Sequence, residues 1–206
     1  MKYIKISLIL GLISLICAVI LASINMLTKD TIKENEENKK TDTIEAIYSD
    51  YSADKSESKD GKALKALNKD AYDSCIEERI IAKDKEGNIL GYLYTVSGSN
   101  SYGNISLMVA LSEEQGDVYV VQVEFLENTQ SFGSTVNSWL KSNFVSKGTE
   151  VHEGGWYDKE DAKVSPMSYT TLESLDDDFV KCGATFGATL CRELITAACK
   201  FEKEVD

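Results

Sequence analysis

The sequence predicts an α+β fold: an antiparallel β-sheet packed with helices, a C-terminal helix, and one N-terminal transmembrane helix ahead of the domain. Three observations predict it. No charged residue occurs from Ile6 to Met26, "ISLILGLISLICAVILASINM". Between Cys75 and Phe125 apolar residues recur with a period of two, in runs separated by Gly, Asn, Asp and Ser turns. Helical spacing then takes over, first around Val136–Phe144 and finally at the end of the chain.

The first segment is long enough to span a bilayer at a helical rise of about 1.5 Å per residue. Lys2 and Lys5 precede it and Asp30, Glu34, Glu36 and Glu37 follow, which places the N-terminus in the cytoplasm and residues 28–206 outside. The rival is a cleaved signal peptide, but no small-x-small cleavage site surrounds Ala22-Ser23-Ile24-Asn25. Cys17 follows bulky Leu15 and Ile16, a poor lipoprotein context. The expected organisation is an anchor at 1–27, a juxtamembrane helical stalk or linker at 28–60, and an extracytoplasmic domain at 61–206.

Within that domain the elements follow in order. Residues 52–62, "SADKSESKDGK", read as a loop. Ile76, Ile80 and Ile81, the turn "KDKEGN" and the strand "ILGYLYTV" form a hairpin, followed by the Gly/Ser loop "SGSNSYG". Ile105, Leu107, Val109 and Leu111 alternate with Ser106, Met108 and Ala110, the pattern of a half-buried strand. After "SEEQGD", the strand "VYVVQVEF" sets Val121, Val123 and Phe125 on one face. Short turns between consecutive strands imply antiparallel pairing. Val136, Trp139, Leu140 and Phe144 mark a helix, residues 146–170 a loop with a short strand, and a last helix runs from about Thr189 to Lys203.

Composition narrows the chemistry. With 34 acidic and 22 basic side chains the net charge is −12, which argues against a nucleic-acid binder. His152 is the only histidine, and no Walker loop, zinc motif, GxGxxG or Ser-His-Asp order is present. Neither a catalytic residue nor a metal site is therefore assigned. Cys75, Cys182, Cys191 and Cys199 lack metal-binding spacing; they are buried free thiols, or Cys75 pairs with one of the later three.

One stretch differs in kind. In "CGATFGATLCRELITAA" the tripeptide Gly-Ala-Thr occurs twice, ahead of an apolar helical pattern. The first turn of a helix has unpaired N–H groups and the positive end of the macrodipole, which together stabilise a phosphate. Glycine lets the backbone approach closely, and a threonine hydroxyl can bond the phosphate or be esterified by it. The competing reading is that Thr185 or Thr189 merely caps the helix, worth about 1 kcal/mol.

This segment resembles the flavinylation motif of the FMN-binding domain family, which includes the G subunit of Rnf electron-transport complexes and the C subunit of the sodium-translocating NADH:quinone reductase. In that family the last threonine of a Ser/Thr-Gly-Ala-Thr segment carries FMN as a phosphoester, installed from FAD by a separate flavin transferase. Two other stretches are similar to family motifs: "AKDKEGNILGYLYTVSGSNSYGNISLMVAL" to a hairpin with a Gly-Tyr-Gly loop, and "VVQVEFLENTQSFGS" to a strand leading into Glu-Thr-Pro-Gly-x-Gly. The single span followed by "TKDTIKENEE" also looks like the G subunit.

The resemblance implies FMN on Thr185, with Thr189 as the alternative, and a close turn at Cys182, Gly183 and Ala184. It implies that Glu127, Thr129 and Gly133 lie near the flavin, with the Tyr102-Gly103 loop beside it. Cys182 stands where Ser or Thr is usual and is closer to it in size than Phe186, its counterpart before the second copy; this favours Thr185. Asp178 lies seven residues before Thr185, where the family has an aspartate six before, and the proline of Glu-Thr-Pro-Gly is missing. The implied protein is an electron-transfer subunit rather than an enzyme on its own. It would sit in the cell membrane as a single-pass flavoprotein and pass electrons to other membrane subunits of an ion-translocating complex. Alternatives are a flavin-free scaffolding or assembly subunit, and a stand-alone extracytoplasmic flavin carrier for another reductase.

Overall fold

Six antiparallel strands lie side by side in chain order: β1 (Glu57–Asp60), β2 (Ile76–Lys83), β3 (Ile89–Asn100), β4 (Gly103–Glu114), β5 (Asp117–Asn128) and β6 (Met167–Ser168). The computed structural model describes residues 2–48, 50–144 and 166–205. The helices are α1 (Lys2–Ile47), α2 (Gly61–Leu67), α3 (Gly133–Phe144), α4 (Tyr169–Ser174) and α5 (Thr185–Glu204), with a 3-10 turn at Asp177–Val180. The α+β class and the antiparallel sheet are as the alternation predicts. His152 and most of the expected loop at 146–170 lie outside the described residues.

The chain divides into two compact units, Met1–Asp42 and Thr43–Asp206. In the first, α1 carries exposed Leu12, Ile13, Leu15, Ile16, Val19, Ile20 and Leu21. Residues 6–10, 24 and 25 of the expected span lie outside the described side chains. Among the described residues no helix is long and apolar enough to cross a membrane.

In the second unit both faces of the sheet are buried. Ile105, Leu107, Val109 and Leu111 of β4 join the main core with Leu140 of α3 and Leu194, Ile195 and Phe201 of α5. Met108 and Ala110, expected on a solvent face, instead pack with Ile44, Ile80, Ala82 and Leu93, flanked by Ile47, Tyr48 and Tyr51. The half-buried reading of β4 is therefore corrected: residues 44–51 cover the second face. Val121 is also corrected. The pairing of β5 with β4 slips by one residue between Ala110 and Leu111, so β5 has a bulge at Val121. That extra residue sends Val121 to the second cluster, while Val120 and Val123 face the main core.

Two elements escape the period signal, and the loop expected at 52–62 is corrected, since it holds β1 and the start of α2. β1 is "ESKD", without apolar alternation, and it pairs with β2 through its backbone as an edge strand. α2 follows directly, with Asp60 accepting from the Ala63 N–H at 2.9 Å. A third difference fixes the site: the last helix begins at Thr185, four residues before the expected start. The Gly187 and Ala188 N–H groups already donate to the Ala184 carbonyl, at 3.0 and 3.1 Å.

The far end of α5 is sealed by polar bonds. Arg79 of β2 grips buried Glu202 with Nε at 2.8 Å and a terminal nitrogen at 2.6 Å, and the Tyr94 hydroxyl also donates to Glu202. Burial alone would lower the Arg79 pKa, but its bonds to Glu202 prevail and raise it. Burial, with Glu202 adding to it, raises the Tyr94 pKa. All five cysteines are free, so no described bridge joins Cys75 to the later three. Burial pushes the Cys75 thiol up to about 12 and raises those of Cys191 and Cys199, which keeps all three protonated and unreactive.

Candidate functional site

The site forms where the β3–β4 turn, the loop between β5 and α3, and the start of α5 meet. Asn100, at the end of β3, joins all three. Its side-chain oxygen accepts from the Tyr102 N–H at 2.9 Å and from Gln130 Nε2 at 3.1 Å, and its amide nitrogen donates to the Phe186 carbonyl at 3.1 Å. Gln130 Nε2 also donates to the Gly103 carbonyl at 2.6 Å. The Ser131 N–H meets the Tyr102 carbonyl at 3.2 Å. A short-range network of side-chain amides thus sets the three segments in register.

Between them lies a cavity of about 260 Å³. Tyr102, Phe132 and Phe186 line it, along with the turn Gly183-Ala184-Thr185. Gln130, Val136 and Gly187 complete its lining. Each glycine of the turn region is there for a different reason. Gly183 has φ +81°, in the left-handed region that side chains other than glycine rarely adopt, and open space where a Cβ would stand. Gly187 is helical, but a Cβ there would lie 2.6 Å from Val136 Cγ2, so its hydrogen lets α5 close on α3.

Thr185 is the first residue of α5 and is exposed. The capping position belongs to Ala184, which has no side-chain oxygen, and no side-chain bond caps the helix. The capping reading of Thr185 is therefore corrected. Thr189 sits in the second turn, past the capping position, and is not among the cavity-lining residues. Because helical bonding starts with the Gly187 and Ala188 N–H groups, those of Thr185 and Phe186 remain at the positive end of α5.

The other residues singled out in the sequence divide into two groups. Tyr102 lines the cavity, with its ring stacked on Phe186 at 5.4 Å between centroids and 25° between planes. Gly103, with φ +140°, packs on Thr129: a Cβ would fall 2.5 Å from the Thr129 carbonyl oxygen. Thr129 Oγ1 accepts from the Asn104 N–H at 2.7 Å and so locks the base of the same turn. Gly133 opens α3 against the Asn128 side chain, whose amide donates to its carbonyl at 3.3 Å. Glu127 is exposed on β5, paired in register with Ser106. Cys182 is half-buried against the core. These five are outside the lining; Gly103, Thr129 and Gly133 brace the loops that carry it.

Asp178, the family-like acid ahead of the turn, is bonded to exposed Lys181. Arg192 of α5 holds the preceding segment by donating to the Leu175 carbonyl and to the Asp176 carbonyl at 3.2 Å. Sequence reasoning missed Asn100, Gln130, Phe132 and Val136. Only the first two carried a signal, as amides beside a Gly-Tyr-Gly-like loop and at the lost proline.

One family model matches the chain, the RnfG N-terminal region, over residues 2–47. Those residues coincide with α1 and do not reach the sheet or the cavity. No curated protein matches the chain. By that match, the chain resembles the RnfG subunit.

Proposed function

We propose that the chain is a membrane-anchored flavoprotein subunit of an Rnf-type electron-transport complex, with FMN esterified through its phosphate to Thr185. One observation carries this reading: of the two Gly-Ala-Thr copies, only the first heads α5 and has its threonine on the cavity, exposed. The phosphate would be met by the Thr185 and Phe186 N–H groups at the positive helix end. Gly183 gives the backbone its close turn, and Ala184 leaves the approach unobstructed. FMN, when bound, supplies reversible electron transfer; the chain supplies attachment, orientation and electrostatics.

Membrane anchoring rests on the resemblance of residues 2–47 and on the exposed Leu and Ile side chains of α1, which water would solvate poorly. Partners would be polytopic subunits of the same complex, and a flavin transferase for maturation. The experiment is intact mass after co-expression with a flavin transferase. One FMN adduct is expected on the wild-type chain and on Thr189→Val, and none on Thr185→Val. A wild-type chain without the adduct overturns covalent flavinylation. It would leave a flavin-free assembly subunit, a reading favoured by Asp178 being bonded to Lys181 rather than facing the cavity.

A further inference from the structure

We infer that Phe186 and Tyr102 are the stacking seat of the flavin ring, and that Gln130 Oε1 accepts a ring N–H; this rests on the flavin reading above. Leu67, Ile89, Tyr102, Phe132 and Phe186 are the exposed large apolar side chains described after Thr43, and the last three line one cavity. Phe186 is 67% exposed, yet it is stacked on Tyr102 and its carbonyl is tied to Asn100. It is therefore an apolar surface held in place next to Thr185 and left uncovered by the described residues. The cavity, at about 260 Å³, is slightly below the usual range of small-molecule pockets, roughly 300–1,000 Å³. That suits one planar ring system rather than a dinucleotide.

Gln130 adds direction. It is 8% exposed, and Nε2 is committed to the Gly103 carbonyl and to Asn100 Oδ1, which fixes the amide plane. Its Oε1 then lies toward Gly187, 3.4 Å from where a Cβ would stand, and meets no donor among the described residues. Gln130 lines the cavity, so this carbonyl oxygen is available to accept from a donor placed there. The flavin ring offers one in its imide N3–H, so Gln130 would orient that edge inward.

Riboflavin, which has the ring but no phosphate, tests the seat separately from attachment. Titrated into the full chain in detergent, it should lose fluorescence on binding. Phe186→Ala and Tyr102→Leu should each weaken binding by roughly two- to tenfold, the range for losing one aromatic stack. N3-methylriboflavin should bind more weakly than riboflavin to the wild type and equally well to Gln130→Leu. Phe186 is exposed, so its variant folds whatever becomes of the Gln130 variant. Unquenched riboflavin, or equal binding by wild type and Phe186→Ala, overturns the stacking seat. Equal binding of the two flavins by the wild type overturns the role of Gln130. A mass adduct without quenching removes this inference and spares the attachment; quenching without an adduct does the reverse.

Discussion

The two ends of α5 solve opposite problems. At its C-terminal end Glu202 is buried, bound bidentately by Arg79 and bonded by Tyr94, with Phe201 packed edge-on against Tyr94 and Tyr72. At its N-terminal end the helix starts on Ala184 with no side-chain cap, beside a cavity rimmed by exposed aromatic rings. Polar groups are satisfied where the fold is closed, and are left available where it is open. One helix therefore carries both a polar fixing point against β2 and β3, at Glu202, and the candidate site, at Thr185. The open end keeps its geometry without a cap through the Asn100 bond to the Phe186 carbonyl and the packing of Gly187 on Val136.

The largest expected effect breaks the closed end. Arg79→Ala leaves the Glu202 carboxylate in the core without its cation and with only the Tyr94 hydroxyl as donor, and should lower the unfolding free energy by about 3–5 kcal/mol in urea melts. Replacing both partners, Arg79→Met with Glu202→Leu, should recover most of that loss. If the single variant were as stable as wild type, the closed end would not be the fixing point.

Gly187→Ala comes next and probes the open end from within. The new methyl meets Val136 Cγ2 at 2.6 Å, and Val136 is buried and branched, so it cannot swing away. Overpacking of this kind costs about 1–3 kcal/mol, partly offset by about 1 kcal/mol of helix propensity. A net loss of about 1 kcal/mol is expected in the same melts, relieved by Val136→Ala in the double variant. Gly183→Ala should be smaller or equal, about 1 kcal/mol, because only the positive φ resists it and no atom lies within contact distance. The adduct mass is the sharper readout here, since the Gly183 turn sets where Thr185 stands.

These two glycines show what the sequence could convey. The doubled Gly-Ala-Thr marks a special turn, but the spacing is compatible with either copy opening the helix. The choice depends on Ala184 accepting the first helical bonds and on Gly187 meeting Val136, residues about fifty positions apart in sequence. The strands from Ile76 to Asn128 are legible through their alternation, because each has a core face, except that the expected loop Ser97–Gly103 is corrected: Ser97–Asn100 continue β3 and pair with Gly103–Ser106 of β4. The second buried face was not, because Met108 and Ala110 are covered by residues 44–51, which read as a polar stalk. Val121 was misplaced for a related reason: a bulge changes side-chain parity without leaving a composition signal. Gln130 looked like a mere loss of proline, and its role emerges only once Asn100 and Gly103 fix its amide.

The smallest expected effect on stability separates the two ends most cleanly. Phe186→Ala removes a ring that is 67% exposed, stacked on Tyr102 and outside the core clusters. Surface substitutions of this kind usually stay within about 0.5 kcal/mol. The Asn100 bond to residue 186 uses the backbone carbonyl, so it survives the change. The variant should therefore melt with the wild type while its riboflavin affinity falls. A melt lowered by 2 kcal/mol or more would place Phe186 among the residues that hold the fold, and the open end would then be a second structural contact. An unchanged melt with a weakened flavin signal would mean that the aromatic rim is kept for something other than folding.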